Sequence, residues 1–302
     1  MRSSSACIRR FHAPTRRVPT TSTIVVATDG REQSDGAIRA GALFTAEGDA
    51  WRIVSVLPPS PLVSAELDLH INAEAMDASR EARAGAVLEQ IRRVLGNDVK
   101  AEIVVRNGNP ADVVARVAEE EGAKLIVTGL GRHRLVDRLL SDETALQIIR
   151  SASMPVLAVP QEFSRAPRTA IVGVDFSEMS VHAVGLALQM VQGAATVYLA
   201  NVAPREDVFT LSTRWRADYE KKVTTKLREL ADELEPPELV HLQPVIRDGD
   251  AATALLSYAA DTDSELIAVG TRGLGLVSRL IVGSVATKIV RASTVAVLTV
   301  PA

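Results

Sequence analysis

Cysteine, aromatic side chains and long apolar runs are all scarce in this sequence. The 302 residues include one cysteine, Cys7, so no disulfide can form within the chain. That cysteine usage favours a reducing compartment, and we expect a cytoplasmic protein. Aromatic residues make up 3% of the chain, so the core must be built from aliphatic side chains. No apolar run approaches the roughly 20 residues that cross a bilayer, and we expect neither a membrane nor a nucleic-acid partner.

The first 20 residues lack acidic side chains and carry five arginines. No apolar stretch of the length that a signal peptide needs follows this basic start. We therefore expect a basic, disordered tail over 1–20. An organelle transit peptide and a contact with an anionic surface are the alternatives.

The remainder of the chain contains one pattern twice. The segment that begins Arg106-Asn-Gly-Asn recurs as Arg247-Asp-Gly-Asp, and the apolar run that ends at Gly129 recurs at Gly270. Both pairs are 141 residues apart. A period of this length indicates duplicated domains and not the short units of a solenoid. The sequence predicts one domain over 21–160, a polar linker over 161–167 and a second domain over 168–302.

Apolar runs alternate with helical patterns in both copies. Residues from about 212 to 234 have the charged, amphipathic pattern of a long helix, and Asn109 and Asp250 occupy positions typical of helix N-caps. This alternation predicts a parallel sheet that is covered by helices on both faces. The predicted strands of the second copy are Thr169–Val174, Ala195–Val202, Leu239–Ile246, Leu266–Val269 and Val295–Val300.

A glycine motif follows the fourth strand of the second copy. Gly270 and Gly273 are separated from Gly283-Ser284 by nine residues, and a helical pattern follows. Glycines allow the backbone to approach a phosphate closely, and the N-terminus of a helix attracts anions. Asp175 follows the first strand, so it should face the same crevice and accept hydrogen bonds from a ribose or a base. The pattern predicts a ligand site, and the alternative is that the glycines only form turns.

The spacing Gly-x2-Gly-x9-Gly-Ser, together with Asp175, resembles the ATP-binding branch of the universal stress protein family over nearly the whole chain. The resemblance implies an α/β fold of two tandem Rossmann-like domains of the adenine nucleotide alpha hydrolase-like kind. Each would be a five-stranded parallel sheet of order 3-2-1-4-5 with helices on both faces. It also implies a stress-response or regulatory role and a cofactor, ATP, AMP or ADP, with or without Mg²⁺. The nucleotide-binding residues that it implies are Gly173, Val174, Asp175, Val202, Val269, Gly270, Gly273, Gly283, Ser284 and Val285.

The first copy departs from this motif where the phosphates should lie. Two carboxylates replace Gly283 and Ser284, and a like-charge pair about 4 Å apart costs about 4 kcal/mol at an effective dielectric constant near 20. We therefore expect the first domain to be a structural copy that does not bind ATP. Its arginines either pair with these carboxylates or lie in solvated loops. The residues of this degenerate first site are Asp29, Arg31, Gly129, Arg132, Asp142 and Glu143.

The sequence lacks the Walker pattern that ends in Gly-Lys-Ser/Thr. It also lacks a glycine-rich pyrophosphatase loop after either first strand. We name no catalytic and no metal-binding residue, and we expect at most slow ATP hydrolysis. A slow ATP hydrolase and a nucleotide-stabilised interaction scaffold are the alternatives.

The fifth strand of each copy is apolar and carries no protective charge, and such edges tend to be paired. The strands are Val156–Val159 and Val295–Val300. In single-domain relatives two subunits pair through this strand, so the resemblance implies that the two domains pair within the chain. A homodimer would be a further association.

Overall fold

The computed structural model of the chain describes residues 23–46, 49–58, 73–97, 99, 101–131, 142–203, 213–272 and 282–302. The predicted basic tail over 1–20 lies outside these residues. The first half contains β1 Thr23–Ala27, α1 Asp35–Phe44, β2 Ala50–Leu57, α2 Ala73–Leu95, β3 Glu102–Asn107, α3 Pro110–Glu120, β4 Ala123–Gly129, α4 Asp142–Ser151 and β5 Val156–Val159. The second half contains β6 Thr169–Gly173, α5 Glu178–Met190, β7 Ala195–Ala203, α6 Thr213–Glu233, β8 Val240–Asp248, α7 Ala251–Asp261, β9 Leu266–Gly270, α8 Ser284–Ala292 and β10 Ala296–Val300.

The ten strands form one sheet in the order β3-β2-β1-β4-β5-β10-β9-β6-β7-β8. All strand pairs within a half are parallel, and each half has the predicted order 3-2-1-4-5. Strands β5 and β10 pair antiparallel, with Leu157 opposite Leu298. The sheet therefore runs without interruption from one half into the other.

Two apolar layers cover the sheet, one on each face. Alternate residues of β1 point to opposite layers, because Ile24 and Val26 join one cluster and Val25 and Ala27 join the other. Helices α1, α2, α5 and α6 contribute to the first cluster, and α3, α4, α7 and α8 contribute to the second. This arrangement confirms the predicted helix–sheet–helix layering.

Side chains begin several helices as the sequence predicts. The Asn109 side chain accepts hydrogen bonds from the amides of Ala111 and Asp112, and Pro110 takes the first helical position. Asp250 accepts from the amide of Thr253 at the start of α7. Both predicted N-caps are therefore confirmed, and they fix where α3 and α7 begin relative to the strands before them.

The segment between β5 and β6 contacts both halves. Phe163 is buried and its ring lies 6.2 Å from the ring of Phe44 in α1. Arg165 pairs with Glu265, which also accepts a hydrogen bond of 2.6 Å from the amide of Arg168. The predicted linker is therefore packed against the structure at both of its ends.

Gly36 provides a test of the packing between α1 and the end of β5, because a Cβ at this position would collide with the carbonyl oxygen of Pro160. We expect Gly36→Ala to lower the free energy of unfolding by about 1–3 kcal/mol. Gly185→Ala in α5 is the matched control, since a Cβ there meets nothing within 4 Å. Alanine should raise the free energy of unfolding at that position by up to about 1 kcal/mol. Urea denaturation measures both, and equal effects would contradict the close approach at Gly36.

A second test concerns the ion pair that joins α7 to α8. Lys288 Nζ lies 2.9 Å from Asp250 Oδ2, and this hydrogen bond lowers the pKa of Asp250 to about 2 from an ordinary value of 3.8. Because the folded-state pKa is the lower one, the stabilisation is present above about pH 4 and is lost as the pH falls through about 2. Both side chains are about half exposed, so the effect is small.

We expect Asp250→Asn, which keeps the helix cap, to lower the Tm at pH 7. The difference from the parent should narrow as the pH falls from 4 to 3. Lys288→Gln should lower the Tm to a similar extent, and the double variant should add little to either change. Thermal unfolding followed by circular dichroism gives the Tm values. If the Tm difference between Asp250→Asn and the parent widens between pH 4 and pH 3, the ion pair is not the cause of the lower Tm.

Candidate functional site

A cavity of about 310 Å³ opens at the carboxyl ends of β6, β7 and β9. Strand β6 pairs with both β7 and β9. Helices α5 and α7 belong to opposite faces of the sheet. The connections after β6 and β9 therefore diverge, which leaves a crevice at the point where the strand order reverses. Glycine backbone, valine side chains and the first turn of α8 form most of its wall.

Nine of the predicted nucleotide-binding residues line this cavity, and Gly273 lies outside the described residues. The structure therefore brings together residues that are up to 112 positions apart in the sequence, from Gly173 to Val285. The nine are Gly173, Val174, Asp175, Val202, Val269, Gly270, Gly283, Ser284 and Val285.

Asp175 is held in place by the residue that caps α5. Its Oδ1 accepts hydrogen bonds from the amide of Ser177 at 3.0 Å and from Ser177 Oγ at 2.6 Å. The Ser177 side chain also accepts from the amide of Ser180, which begins the helix. Oδ2 of Asp175 has no hydrogen-bond partner in the described part of the chain, so it can accept from a ligand hydroxyl or amine.

The backbone between Asp175 and Ser177 turns through a left-handed residue. Phe176 has a φ of 64°, and the corresponding residue of the first half is Gly30, with a φ of 79°. A left-handed conformation costs about 1–2 kcal/mol for a residue with a Cβ. The Phe176 ring offsets part of this cost by contact with Lys226, whose Nζ lies 5.3 Å from the ring centre. Asp175, directly before this residue, lines the cavity.

Asn201 is a cavity residue that the sequence analysis missed. Its Nδ2 donates to the carbonyl of Val174 at 2.8 Å, and its Oδ1 accepts from the Tyr219 hydroxyl at 2.8 Å. Burial raises the pKa of Tyr219, so the hydroxyl remains protonated and donates at neutral pH. Helix α6 is thereby tied to the cavity wall. A polar residue in the middle of an apolar strand, directly before Val202, was the available sequence signal.

The first turn of α8 faces the cavity with a glycine cap. Gly283 is the N-cap residue and its amide donates to the carbonyl of Thr271 at 2.7 Å. A Cβ on Gly283 would lie 3.0 Å from that carbonyl oxygen. Ser177, Asn109 and Asp250 cap their own helices with side chains, whereas Gly283 offers none. The first amides of α8 are therefore available to an acceptor in the cavity.

Arg272 also lines the cavity, beside Thr271 and ahead of the glycine at 273. In the motif it is one of the two spacer residues between Gly270 and Gly273, and it is not among the predicted site residues. Asp175 and Arg272 are the charged side chains among the described cavity-lining residues, so the wall carries one negative and one positive side chain.

The first half has a cavity of about 320 Å³ in the equivalent place. Asp29, Arg31 and Gly129 of the predicted degenerate site line it. Arg31 forms an ion pair with Asp29, in which Arg31 Nε lies 3.7 Å from Asp29 Oδ2. Asp142 and Glu143 are the first two residues of α4, the helix that corresponds to α8. Arg132 lies outside the described residues.

A buried hydrogen-bond network fixes the loop after β1 in the first half. Gln90 of α2 donates to the carbonyl of Arg31 at 2.7 Å and to Asp35 Oδ1 at 2.8 Å. Its Oε1 accepts from the Thr28 hydroxyl at 2.7 Å. In this half Gln90 holds the carbonyl of Arg31 and the side chain of Asp35, so the loop is fixed by a helix side chain although Arg31 replaces the capping serine.

The described residues contain no group of three or more His, Cys, Asp or Glu side chains that could hold a metal ion. Within the same residues no helix is both long enough and apolar enough to cross a membrane.

The family model for the universal stress protein family matches residues 20–160 and 167–301. No curated protein matches the sequence. A universal stress protein from Archaeoglobus fulgidus DSM 4304 is similar in structure, with 18% identity, 94% of this chain and 97% of that chain covered, and a TM-score of 0.64. The functionally unknown protein PA1789 from Pseudomonas aeruginosa PAO1 has 17% identity, 94% coverage of both chains and a TM-score of 0.59.

A universal stress protein whose structure was solved in complex with cAMP is 26% identical, with 45% of this chain and 97% of that chain covered and a TM-score of 0.35. The first two of these proteins are similar to this chain over 94% of its length, and at 17–18% identity that similarity shows a shared fold. The family model covers both halves and most of the sequence, and the repeat, strand order and cavities agree with it. The chain belongs to the universal stress protein family, as a tandem pair.

Proposed function

We propose that this protein binds an adenine nucleotide, ATP in the first place and AMP or ADP as alternatives, in the cavity of its second half. The role that follows is regulatory, in a stress response, with the bound nucleotide as the signal or the stabilising ligand. Asp175 and Val202 would meet the adenosine part, and Gly173 and Val269 would line it. The backbone at Gly270, Gly273, Gly283, Ser284 and Val285 would surround the ribose and phosphates.

The observation that carries this proposal is the glycine-capped start of α8, which opens into a cavity of about 310 Å³. A phosphate could accept from the first amides of the helix, because no side chain occupies that position. Arg272 also lines the cavity and would favour a ligand with negative charge, and Oδ2 of Asp175 can accept from a hydroxyl or an amine of the ligand. A nucleotide has both kinds of group, with phosphates at one end and a nucleoside at the other.

The first half is expected not to bind ATP. Its α4 begins with the acidic residues Asp142 and Glu143, where the second half has Gly283 and Ser284. A triphosphate would add charge of the same sign. Gly131 stands where the second cavity has Arg272, and the two arginines among the described lining residues of the first cavity both contact Asp29: Arg31 pairs with its carboxylate and Arg83 donates to its carbonyl.

We do not expect this protein to catalyse a fast reaction. Both cavities can position a ligand, but neither places a histidine or a pair of carboxylates among its described lining residues. Slow ATP hydrolysis, with or without Mg²⁺, is compatible with this arrangement. We also propose that the protein is cytoplasmic and that its two halves associate in solution through the pairing of β5 with β10. A homodimer would be an additional association.

The expected stoichiometry is one adenine nucleotide per chain, because the glycine motif that would bind the phosphates is present in the second half and missing from the first. Isothermal titration of the full-length protein with ATP should saturate near one equivalent. Nucleotide that co-purifies should be released by denaturation and identified by mass spectrometry as adenine nucleotide. A second equivalent of similar affinity would contradict our interpretation of the first half, and no binding at all would contradict the proposal.

Gly283→Asp should abolish ATP binding and leave the fold intact. The first half already has Asp142 at this position, and aspartate is a favourable N-cap residue. Repulsion of about 4 kcal/mol between unit charges about 4 Å apart, even if halved by solvent, weakens binding more than tenfold.

Gly283→Asn is the matched control for that variant. It adds a side chain of the same shape beside the Thr271 carbonyl but no charge, so it should weaken binding less than Gly283→Asp does. Titration calorimetry and circular dichroism should be measured on all three proteins. If Gly283→Asp binds ATP like the parent, the phosphates do not lie at the start of α8.

A further inference from the structure

The first-half cavity keeps its volume although its wall differs from that of the second half. The two volumes are about 320 and 310 Å³, within the range of small-molecule sites. The two cavities lie at equivalent positions of the fold, as a shared hydrogen bond shows. The amide of Thr28 donates to the carbonyl of Val54 in the first half, and the amide of Val174 donates to the carbonyl of Ala200 in the second.

Compensating changes of side-chain size keep the first cavity open. Ala27 takes the place of Gly173, where a Cβ would lie 3.0 Å from a methyl group of Leu255. At the position of Leu255, five residues after the N-cap of its helix, the first half has the shorter Val114. The added methyl group on the strand is therefore matched by a lost one on the helix.

Hydroxyl groups replace two of the valines that line the second cavity. Thr128 stands at the position of Val269, one residue before the glycine that ends the strand. Thr144 stands at the position of Val285 in the first turn of the following helix. Neither threonine hydroxyl makes a side-chain hydrogen bond to another described residue, so both can donate to or accept from a ligand.

Asp29, Arg31 and Arg83 are the charged side chains among the described residues that line this cavity. Arg31 pairs with the Asp29 carboxylate and Arg83 donates to the Asp29 carbonyl, so both arginines already have partners at this residue. Asp29 Oδ1 accepts from the amide of Arg31 and from Ser34 Oγ, both at 3.1 Å, in the way that Asp175 is held by Ser177. Oδ2 of Asp29 lies 3.7 Å from Nε of the exposed Arg31. It can accept from a pair of ligand hydroxyls, while the acidic start of α4 disfavours phosphate.

We propose that the first cavity is a second binding site, for an uncharged nucleoside. This inference rests on the proposed function in one respect, since it takes the second cavity as the model of where a nucleoside lies. The Thr128 and Thr144 hydroxyls bind polar atoms of the base or sugar where the second half offers only methyl groups. The protein then holds two ligands that differ in charge, a nucleotide in the second half and a nucleoside in the first.

Two matched variants separate the cavities. Thr144→Trp blocks the first cavity and Val285→Trp blocks the second, at equivalent, half-buried positions of α4 and α8. The probes are adenosine, guanosine and uridine, and the 5′-monophosphate of whichever nucleoside binds. Binding is measured on full-length protein by equilibrium dialysis up to about 1 mM, the weakest affinity that a specific site of this size should have. Circular dichroism establishes that each variant is folded.

We expect one of the nucleosides to bind the Val285→Trp variant near one equivalent. Its affinity should fall at least about tenfold in the Thr144→Trp/Val285→Trp variant. The corresponding monophosphate should bind the Val285→Trp variant about tenfold more weakly than the nucleoside does, because of the acidic start of α4. The Thr144→Trp variant should still bind ATP near one equivalent.

Three results would overturn the inference: no nucleoside binds the Val285→Trp variant, binding persists in the double variant, or the monophosphate binds at least as tightly as the nucleoside. If Thr144→Trp binds ATP while Val285→Trp binds no nucleoside, this inference fails and the proposed function stands. If Val285→Trp binds a nucleoside while Thr144→Trp binds no ATP, the proposed function fails and the second site stands.

A smaller substitution keeps the test valid if a tryptophan variant does not fold. Thr128→Val in the first half removes one hydroxyl and restores the residue of the second half. In the parent protein with ATP saturating the second cavity, it should weaken nucleoside binding about tenfold, because a buried ligand group loses its partner. Val269→Thr is the matched control and should leave that binding unchanged. An unchanged affinity in Thr128→Val would also overturn the inference.

Discussion

Both cavities depend on a central strand that hydrogen-bonds to a neighbour on each side. Strand β1 pairs with β2 and β4, and β6 pairs with β7 and β9. The helices that follow these central strands pack on one face, and α3 and α7 pack on the other. The backbone must therefore separate at the carboxyl ends of the central strands, and a crevice forms there whatever side chains are present.

Chemistry differs between the halves because it is carried by residues that the sheet does not need. The first turn of α8 begins after a glycine, whereas α4 begins with two acids. We propose that these residues set which charge each crevice accepts, because they lie outside the strands that form it. The loops after β1 and β6 show the same independence, since Gln90 and Ser177 stabilise similar turns by different hydrogen bonds. One scaffold can in this way hold two sites of unlike charge.

Local patterns predicted the repeat, the alternation of strands and helices, and the glycine motif with Asp175. The strand order and the full set of nine cavity residues were implied by the resemblance to a known family. Strand ends differed from prediction by one or two residues, as at β8, which continues to Asp248 beyond the predicted Ile246. Asn201 and Leu255 were missed because their positions beside the cavity depend on contacts between elements that are distant in the sequence. Arg272 was missed because its side chain could point to solvent or to the cavity with the same spacing of glycines.

By itself the sequence determined the duplication, the alternation of strands and helices, the two predicted helix caps and the loss of the glycine motif from the first copy. These features are set by periodicity, by local hydrogen bonding and by charge, which neighbouring residues carry. Only the tertiary structure decided that the first half keeps an open cavity. The volume depends on pairs such as Ala27 and Val114, on a strand and a helix far apart in the chain, whose sizes matter only once the two are packed together.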